Sequence, residues 1–374
     1  MNTNTIEQAE AVQTNPEQRA DRTRINGIVD CDVHHQQNSP EDLFPYLPRH
    51  VVRNIKDFGM MMPDLGYTNI PGRGARDDLW VGQTINPASQ PSVCIEKHLN
   101  PYDIAIAVLT GGPYGTAVHP DADYAAAVCH AFNEWTSDVW LTQDPRFRAS
   151  IHIAPQDPTL AITEIEQRVR DPRFIQVLFS AGARLPFGNR FYHPIYAACE
   201  RNQLPVCVHF GFEGAGISGP PTAAGYPSYY LEMRMARPQI AMAHLTSLIC
   251  EGVFEKFPGL RFLFLEHDFF WVPGLLWHMD ADWKSLRDYT PWIKRLPSEY
   301  VREHVRFGSQ PMPNVPTKQD LDTMLRWLRA EDVLLFASDY PHFDWDEPSH
   351  FLYGHDPLLR QKIMSENAQQ IYRL

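Results

Sequence analysis

Eight short runs of β-type apolar residues, separated mostly by stretches with helical spacing, constrain this chain more than any other feature. The runs fall at 27–33, 103–109, 147–153, 174–179, 205–210, 261–266, 304–308 and 333–337. Most are near-continuously apolar, as a strand covered on both faces must be. Regular alternation of such strands with helices is the pattern of parallel βα units, and eight of them close a ring. The expected fold is therefore α/β, a (β/α)8 TIM barrel. The intervening patterns agree. Tyr124, Val128, Phe132, Trp135 and Val139 form one apolar stripe, and Asp157-Pro158 supplies an N-cap with proline at the first helical position. Further helices are expected at 192–201, at 241–257 ending at Pro258-Gly259, at 317–329 with Leu321, Met324, Leu325 and Leu328 inward, and at 356–372.

A chain of 374 residues is longer than a minimal barrel requires, and the surplus is localised. Residues 1–24 are polar, lack the apolar stretch of a secretory signal, and read as a mobile tail before a barrel spanning 25–374. Residues 40–100 and 211–237, rich in Pro, Gly, Asn and Tyr, read as insertions after strands 1 and 5. Long loops at that end of a barrel form walls or lids over a site. A net charge of −12 with no basic run argues against nucleic acid and anionic membranes as partners. The six cysteines show no CxxC pair and read as reduced, and no apolar stretch is long enough to span a bilayer. The expectation is a soluble, cytoplasmic protein acting on a small molecule.

The chemistry-bearing residues fall where such a barrel concentrates them. Asp30, Asp32 and His34 lie in or just after the first strand, where simple alternation would place all three on one face. His209 ends the fifth strand, His267 follows the sixth, and Asp339 follows the eighth. Taken singly, a histidine at a strand end is more often a hydrogen-bonded residue than a ligand, and an Asp before a Tyr-Pro pair suits a turn. Together, Asp32, His34, His209, His267 and Asp339 would converge on one mouth, where unpaired carboxylates and imidazoles are costly unless a cation balances them. A set without cysteine suits one divalent ion, Zn, Mn or Fe. Asp30, His35, His244, Glu266, Asp268 and His342 are spare ligands for a second ion, each read singly as support for the primary set. His50, His98, His119 and His278 read as ordinary surface or loop residues.

These residues resemble the amidohydrolase superfamily, in the branch with the aminocarboxymuconate-semialdehyde and dihydroxybenzoate decarboxylases. Beside the ligands, the resemblance rests on 192–200 (YHPIYAACE), 204–209 (LPVCVH), 252–260 (GVFEKFPGL), Trp271-Val-Pro273, Ser338-Asp-Tyr-Pro-His342 and Glu366-Asn-Ala368. It covers the chain from about Ile25 onward. It implies His34, His209 and Asp339 as metal ligands, with His267 orienting water or substrate, and it implies a homodimer. Many members carry His-x-His in the first strand, whereas Asp32 stands first here. Strand four lacks the lysine that bridges metal pairs in binuclear members.

Three functions follow as expectations. The first is hydrolysis of a small aromatic or apolar carbonyl compound by metal-activated water, with Asp339 as base and His267 stabilising negative charge or protonating the leaving group. The alternative is non-oxidative decarboxylation of a hydroxylated or unsaturated carboxylic acid, and the third is an inactive barrel serving as a binding module. The same ligands serve the first two. Arg73, Arg76, Arg184, Arg234 and Arg237 are candidate carboxylate binders, and Tyr226, Tyr229, Tyr230, Phe269, Phe270 and Trp271 point to an aromatic substrate.

Overall fold

The structure is a computed structural model that describes residues 25–65, 74–82 and 84–374. The expected tail and Arg73 lie outside the described residues, as do residues 66–72 and 83 of the first insertion.

Eight parallel strands follow one another in sequence order: β1 (Ile28–Val33), β2 (Ile104–Leu109), β3 (Phe147–His152), β4 (Phe174–Ser180), β5 (Val206–His209), β6 (Phe262–Leu265), β7 (Val305–Gly308) and β8 (Leu334–Leu335). The last strand is shorter than its apolar run suggests. Val333 belongs to a helical turn, and the N–H of Phe336 donates to Ile363 O, outside the sheet, so the ladder with β7 stops after Leu335. Closure against β1 instead runs through the segment beyond β8. Cys31 N–H donates to Phe336 O (3.0 Å), Asp339 N–H to Asp32 O (3.0 Å) and His34 N–H to Tyr340 O (2.7 Å). The backbone that carries Asp339 is thus itself a barrel stave.

Two apolar layers hold the ring. Val29, Cys31, Val108, Cys207, Leu263, Leu265 and Leu335 fill its interior. Outward residues such as Leu109, Val177, Phe179, Val208 and Phe264 pack under the helices. The longer helices are α1 (Arg49–Phe58), α2 (Ala122–Trp135), α3 (Pro158–Arg168), α4 (His193–Arg201), α5 (Tyr230–Cys250), α6 (Trp271–Leu286), α7 (Pro297–His304) and α8 (Lys318–Leu328). The Asp157 carboxylate caps α3 by accepting from the N–H groups of Thr159 and Leu160. The helix expected at 241–257 is displaced. It starts at Tyr230, carries Pro238 within it and ends at Cys250, because Gly252 adopts a left-handed φ of 68° that breaks it from the short turn Val253–Lys256. The second insertion therefore closes as a helix.

One irregularity in β1 sets the site. Asp30 pairs with Ala107 and Val33 with Leu109, so β1 spends one more residue than β2 over that interval. This bulge resets the alternation. Val29 and Cys31 face the barrel interior, Asp32 and His34 reach the mouth, and Val33 faces the helices. Asp30, expected on the face of Asp32 and His34, points out instead. Its carboxyl group accepts from His98 Nε2 (2.7 Å), from Ser338 N–H (3.0 Å) and from Asp32 N–H (3.2 Å).

Candidate metal centre

The mouth gathers four of the expected ligands from three places in the chain. Asp32 is fully buried and accepts from Thr110 Oγ1 (2.5 Å), while His209 Nε2 lies 3.2 Å from its Oδ2. His34 Nε2 stands between two carboxylates, 3.4 Å from Asp32 Oδ1 and 2.9 Å from Asp339 Oδ1, and makes a well-aligned hydrogen bond to neither. His342 Nδ1 donates to Asp339 Oδ1 (2.6 Å) and its ring packs on His34 at 4.1 Å between centroids. Asp32, His34 and His209 can each offer an atom within 4.8 Å of the others, as can His34, Asp339 and His342. The two groups share His34, so they form one centre.

Each imidazole is oriented by its other nitrogen. Phe210 O can only accept, so His209 Nδ1 carries a proton (2.7 Å), which leaves Nε2, facing Asp32 at the mouth, as the nitrogen a metal would take once its own proton is lost. The Tyr114 ring stacks on His209 at 5.0 Å, and its hydroxyl donates to Thr110 O (2.6 Å). Thr110 and Tyr114, both unremarked in sequence, thus brace Asp32 and His209.

The electrostatics fit a cation. Burial alone would raise Asp32, but His209 and His34 hold it far below the usual carboxylate range. Burial likewise opposes ionisation of Asp339, and His342 and His34 outweigh it. The reverse holds for His34, which burial would lower and Asp32 raises well above the ordinary imidazole value. Both carboxylates are thus charged in a buried place, leaning on histidines that must carry protons to balance them. A divalent ion would replace those protons and use the idle atoms, His34 Nε2 and the partnerless Asp339 Oδ2. The donor set of two carboxylates and two imidazoles fits such an ion.

The remaining candidates are sorted by the fold. His267 belongs to neither ligand group. Its Nδ1–H donates to Arg237 O (3.1 Å), burial pushes its pKa well below the ordinary value, and its Nε2 is buried without a partner. That tautomer leaves Nε2 an acceptor, and the donor role expected of His267 would need a second proton on the ring, which burial opposes. Glu266 pairs with Arg237 (Oε1 to Nη2, 2.7 Å) and lies 3.7 Å from His209 Nε2. His35 is no spare ligand. It turns into the helix layer against Phe132, Trp135 and Trp140 and bonds Thr136 Oγ1 at 2.8 Å. His244 packs on Phe187 with Nδ1 accepting from Phe187 N–H and Nε2–H donating to Ala181 O. Asp268 is occupied by the N–H groups of Phe269 and Phe270. His98, expected at the surface, is fully buried against Asp30 and stacks on Tyr340.

A cavity of about 440 Å³ opens over this centre. Leu65, Ala75 and Ala88 of the first insertion wall it, as do Phe212, Met233 and Arg237 of the second. Asp339, Glu266 and Phe212 around it all hold positive φ, 64°, 61° and 60°, a backbone state costing non-glycine residues about 1 kcal/mol or more. The residue that sequence reasoning missed is Glu213. Its Oε1 accepts from Gly211 N–H (2.8 Å), its Oε2 is buried without a partner, and burial pushes its pKa up to about 7. Only its place four residues past His209, in a glycine-rich loop, could have marked it.

A sequence profile described as Amidohydrolase matches residues 87–374. The gamma-resorcylate decarboxylase of Rhodococcus jostii (strain RHA1) is 25% identical over 299 residues, covering 74% of this chain and 86% of that protein. Among solved structures, amidohydrolase map2389c of Mycobacterium avium subsp. paratuberculosis K-10 superposes with a TM-score of 0.69 at 20% identity, over 92% of this chain and 99% of that one. A dihydroxybenzoic acid decarboxylase from Polaromonas sp. JS666, holding manganese and the inhibitor 2-nitroresorcinol, gives 0.64 at 18% identity, over 93% and 97%.

Proposed function

The chain belongs to the amidohydrolase family, and from that premise we propose that it carries out metal-dependent, non-oxidative decarboxylation of a hydroxylated aromatic carboxylic acid. The similarity to decarboxylases moves the weight from hydrolysis to this reaction and away from an inactive barrel. The observation that carries the reading is Asp339. Its Oδ1 is held by His342, while its buried Oδ2 has no hydrogen-bond partner, so the carboxyl group has one oxygen to spend on the ion or on a proton at the mouth.

Asp32, His34, His209 and Asp339 would hold one divalent ion, with manganese the first candidate. When bound, such an ion polarises the substrate's carboxylate and a neighbouring hydroxyl oxygen. Asp339 takes the proton of that hydroxyl as its oxygen becomes anionic. The bond from the ring to the carboxyl carbon then breaks, its electron pair stays on the ring carbon, and Asp339 returns the proton there as CO2 leaves. The product's oxygen regains a proton from water on release, so atoms and charge balance. His267 Nε2, an acceptor, suits a hydroxylated ligand, whereas protonating a leaving amine or alcohol would need a donor there. Aromatic walls at Phe210, Phe212 and Tyr114 suit a planar ring and keep water out.

The test is CO2 and resorcinol release from 2,6-dihydroxybenzoate by the manganese-loaded protein, beside ester and amide hydrolysis. Release that disappears in Asp339→Asn is the expected result. Hydrolysis with no CO2 from any ortho-hydroxybenzoate would sink the proposal.

A further inference from the structure

Arg237 and Glu213 have no part in the chemistry above, yet both open onto the same cavity. Arg237 is buried on α5. One terminal nitrogen pairs with Glu266, its guanidinium lies 4.5 Å over the Phe210 ring, and its Nε and second terminal nitrogen have no partner among the described residues. Glu213 is buried in the loop after β5 with one oxygen held and the other idle. The pairing with Glu266 accounts for one edge of the guanidinium and leaves the rest unexplained. Buried donors without acceptors are costly, and they persist where a ligand completes them. A cation and a carboxyl group facing one cavity would ordinarily pair, but these two are bonded to other residues and not to each other.

We propose that Arg237 and Glu213 form a second subsite that binds an anionic oxygen on the substrate, a second ring carboxylate, apart from the carboxyl lost at the metal cluster. This rests on the decarboxylase reading and narrows its substrate class to aromatic acids with two anionic groups. Arg237 offers an idle terminal nitrogen, Nη1, with two N–H groups that can donate a charge-assisted hydrogen bond to one oxygen of a carboxylate, the fork edges being shared with the nitrogen that Glu266 holds. Glu213, pushed up to about 7 by burial, keeps an O–H to offer up to neutral pH. Glu266 balances the guanidinium when the subsite is empty. Among the other titratable groups lining the cavity, His209 is held by Phe210 O and Asp32, His342 by Asp339, and Asp344 by Arg234, so none of them pairs with Arg237 or Glu213.

Binding of two unreactive probes tests this without turnover. Isophthalate and benzoate share the ring and one carboxylate, lack the hydroxyl, and differ in the second carboxylate. Calorimetry on manganese-loaded protein should give an isophthalate Kd about 10- to 100-fold below that of benzoate, the size of one charged hydrogen-bonded contact. Arg237→Lys, which keeps the charge facing Glu266, and Glu213→Leu should each bring the two Kd values within about 3-fold while benzoate binding stays. Glu213→Gln, which still donates, should preserve the preference, and the Leu–Gln contrast decides the matter if Arg237→Lys fails to fold. Equal affinity for both probes in the unaltered protein overturns the subsite, as does equal weakening of both in the variants. Preference for isophthalate without CO2 release from any hydroxybenzoate would instead fault the decarboxylase reading.

Discussion

Asp30 touches nothing at the cavity, yet its removal should damage both stability and metal binding. It is fully buried and accepts from His98 Nε2, Asp32 N–H and Ser338 N–H at 2.7, 3.2 and 3.0 Å. Asp30→Ala strands these donors together. Each buried donor left unpaired costs about 1–3 kcal/mol, and water entering the vacated space offsets part of that, so a total of about 4 kcal/mol is expected. With an unfolding entropy of about 2 cal/mol/K per residue, a chain of 374 residues loses about 0.8 kcal/mol per degree, so Tm should fall by about 5 °C. Asp30→Asn keeps an oxygen for the two backbone donors and should cost less than half as much. The two N–H groups precede or belong to the backbone carrying Asp32 and Asp339, so manganese affinity should also weaken about 10- to 100-fold in Asp30→Ala. Thermal melts of chelated protein and manganese titration of the refolded variants read both effects. A Tm change under about 1 °C, or Asn as harmful as Ala, would refute the view that Asp30 works as a backbone acceptor.

His209→Ala removes a ligand braced by Phe210 O, and metal retained after dialysis should drop at least about 10-fold by elemental analysis, with the fold kept by circular dichroism. Glu213 gives a pH signature. Its folded pKa of about 7 exceeds the unfolded value of about 4.3, so the folded chain holds the extra proton between them, and stability is lost as pH rises through that window. Glu213→Gln should therefore gain on the unaltered protein by up to about 3 kcal/mol from pH 4.5 to above 7. A constant difference across that range would remove the burial argument. Gly111→Ala would place a Cβ 2.1 Å from the backbone N and O of His35, so β2 could no longer pass β1 at the mouth. Its soluble yield or manganese affinity should collapse, whereas Gly219→Ala, with open space around it, should be silent.

Strand number and order, and the gathering of His34, His209 and Asp339 at one end, were legible in the sequence because they follow from apolar runs and a ring's geometry. The face of Asp30 was not. Period-two alternation has no mark for an extra residue, and the bulge shows only in how β1 pairs with β2. His98 was misjudged because its acceptor, Asp30, lies 68 residues away and its stacking partner Tyr340 still further. The tautomer of His267, which weighs on the donor role expected of it, is set by a carbonyl 30 residues upstream. The early start of α5 was hidden by Pro238, which reads as a helix breaker but is tolerated inside this one. Glu213 was invisible because a lone carboxylate in a glycine-rich loop carries no pattern, and its meaning comes from the cavity around it.

The ring is closed by hydrogen bonds from β1 to the segment bearing Asp339, between residues up to 308 positions apart. A ribosome therefore releases Asp32 and His34 first, His209 about 175 residues later and Asp339 about 130 residues after that. Until the last stave docks, Asp32 and His34 stand beside an open seam with nothing to complete them. Metal capture at the proposed centre would then work as a completeness check. A chain cut before residue 334 would keep seven strands and most of its helices but lack the carboxylate that finishes the cluster. Divalent-metal loading of the proposed centre would thus count finished barrels rather than all folded material.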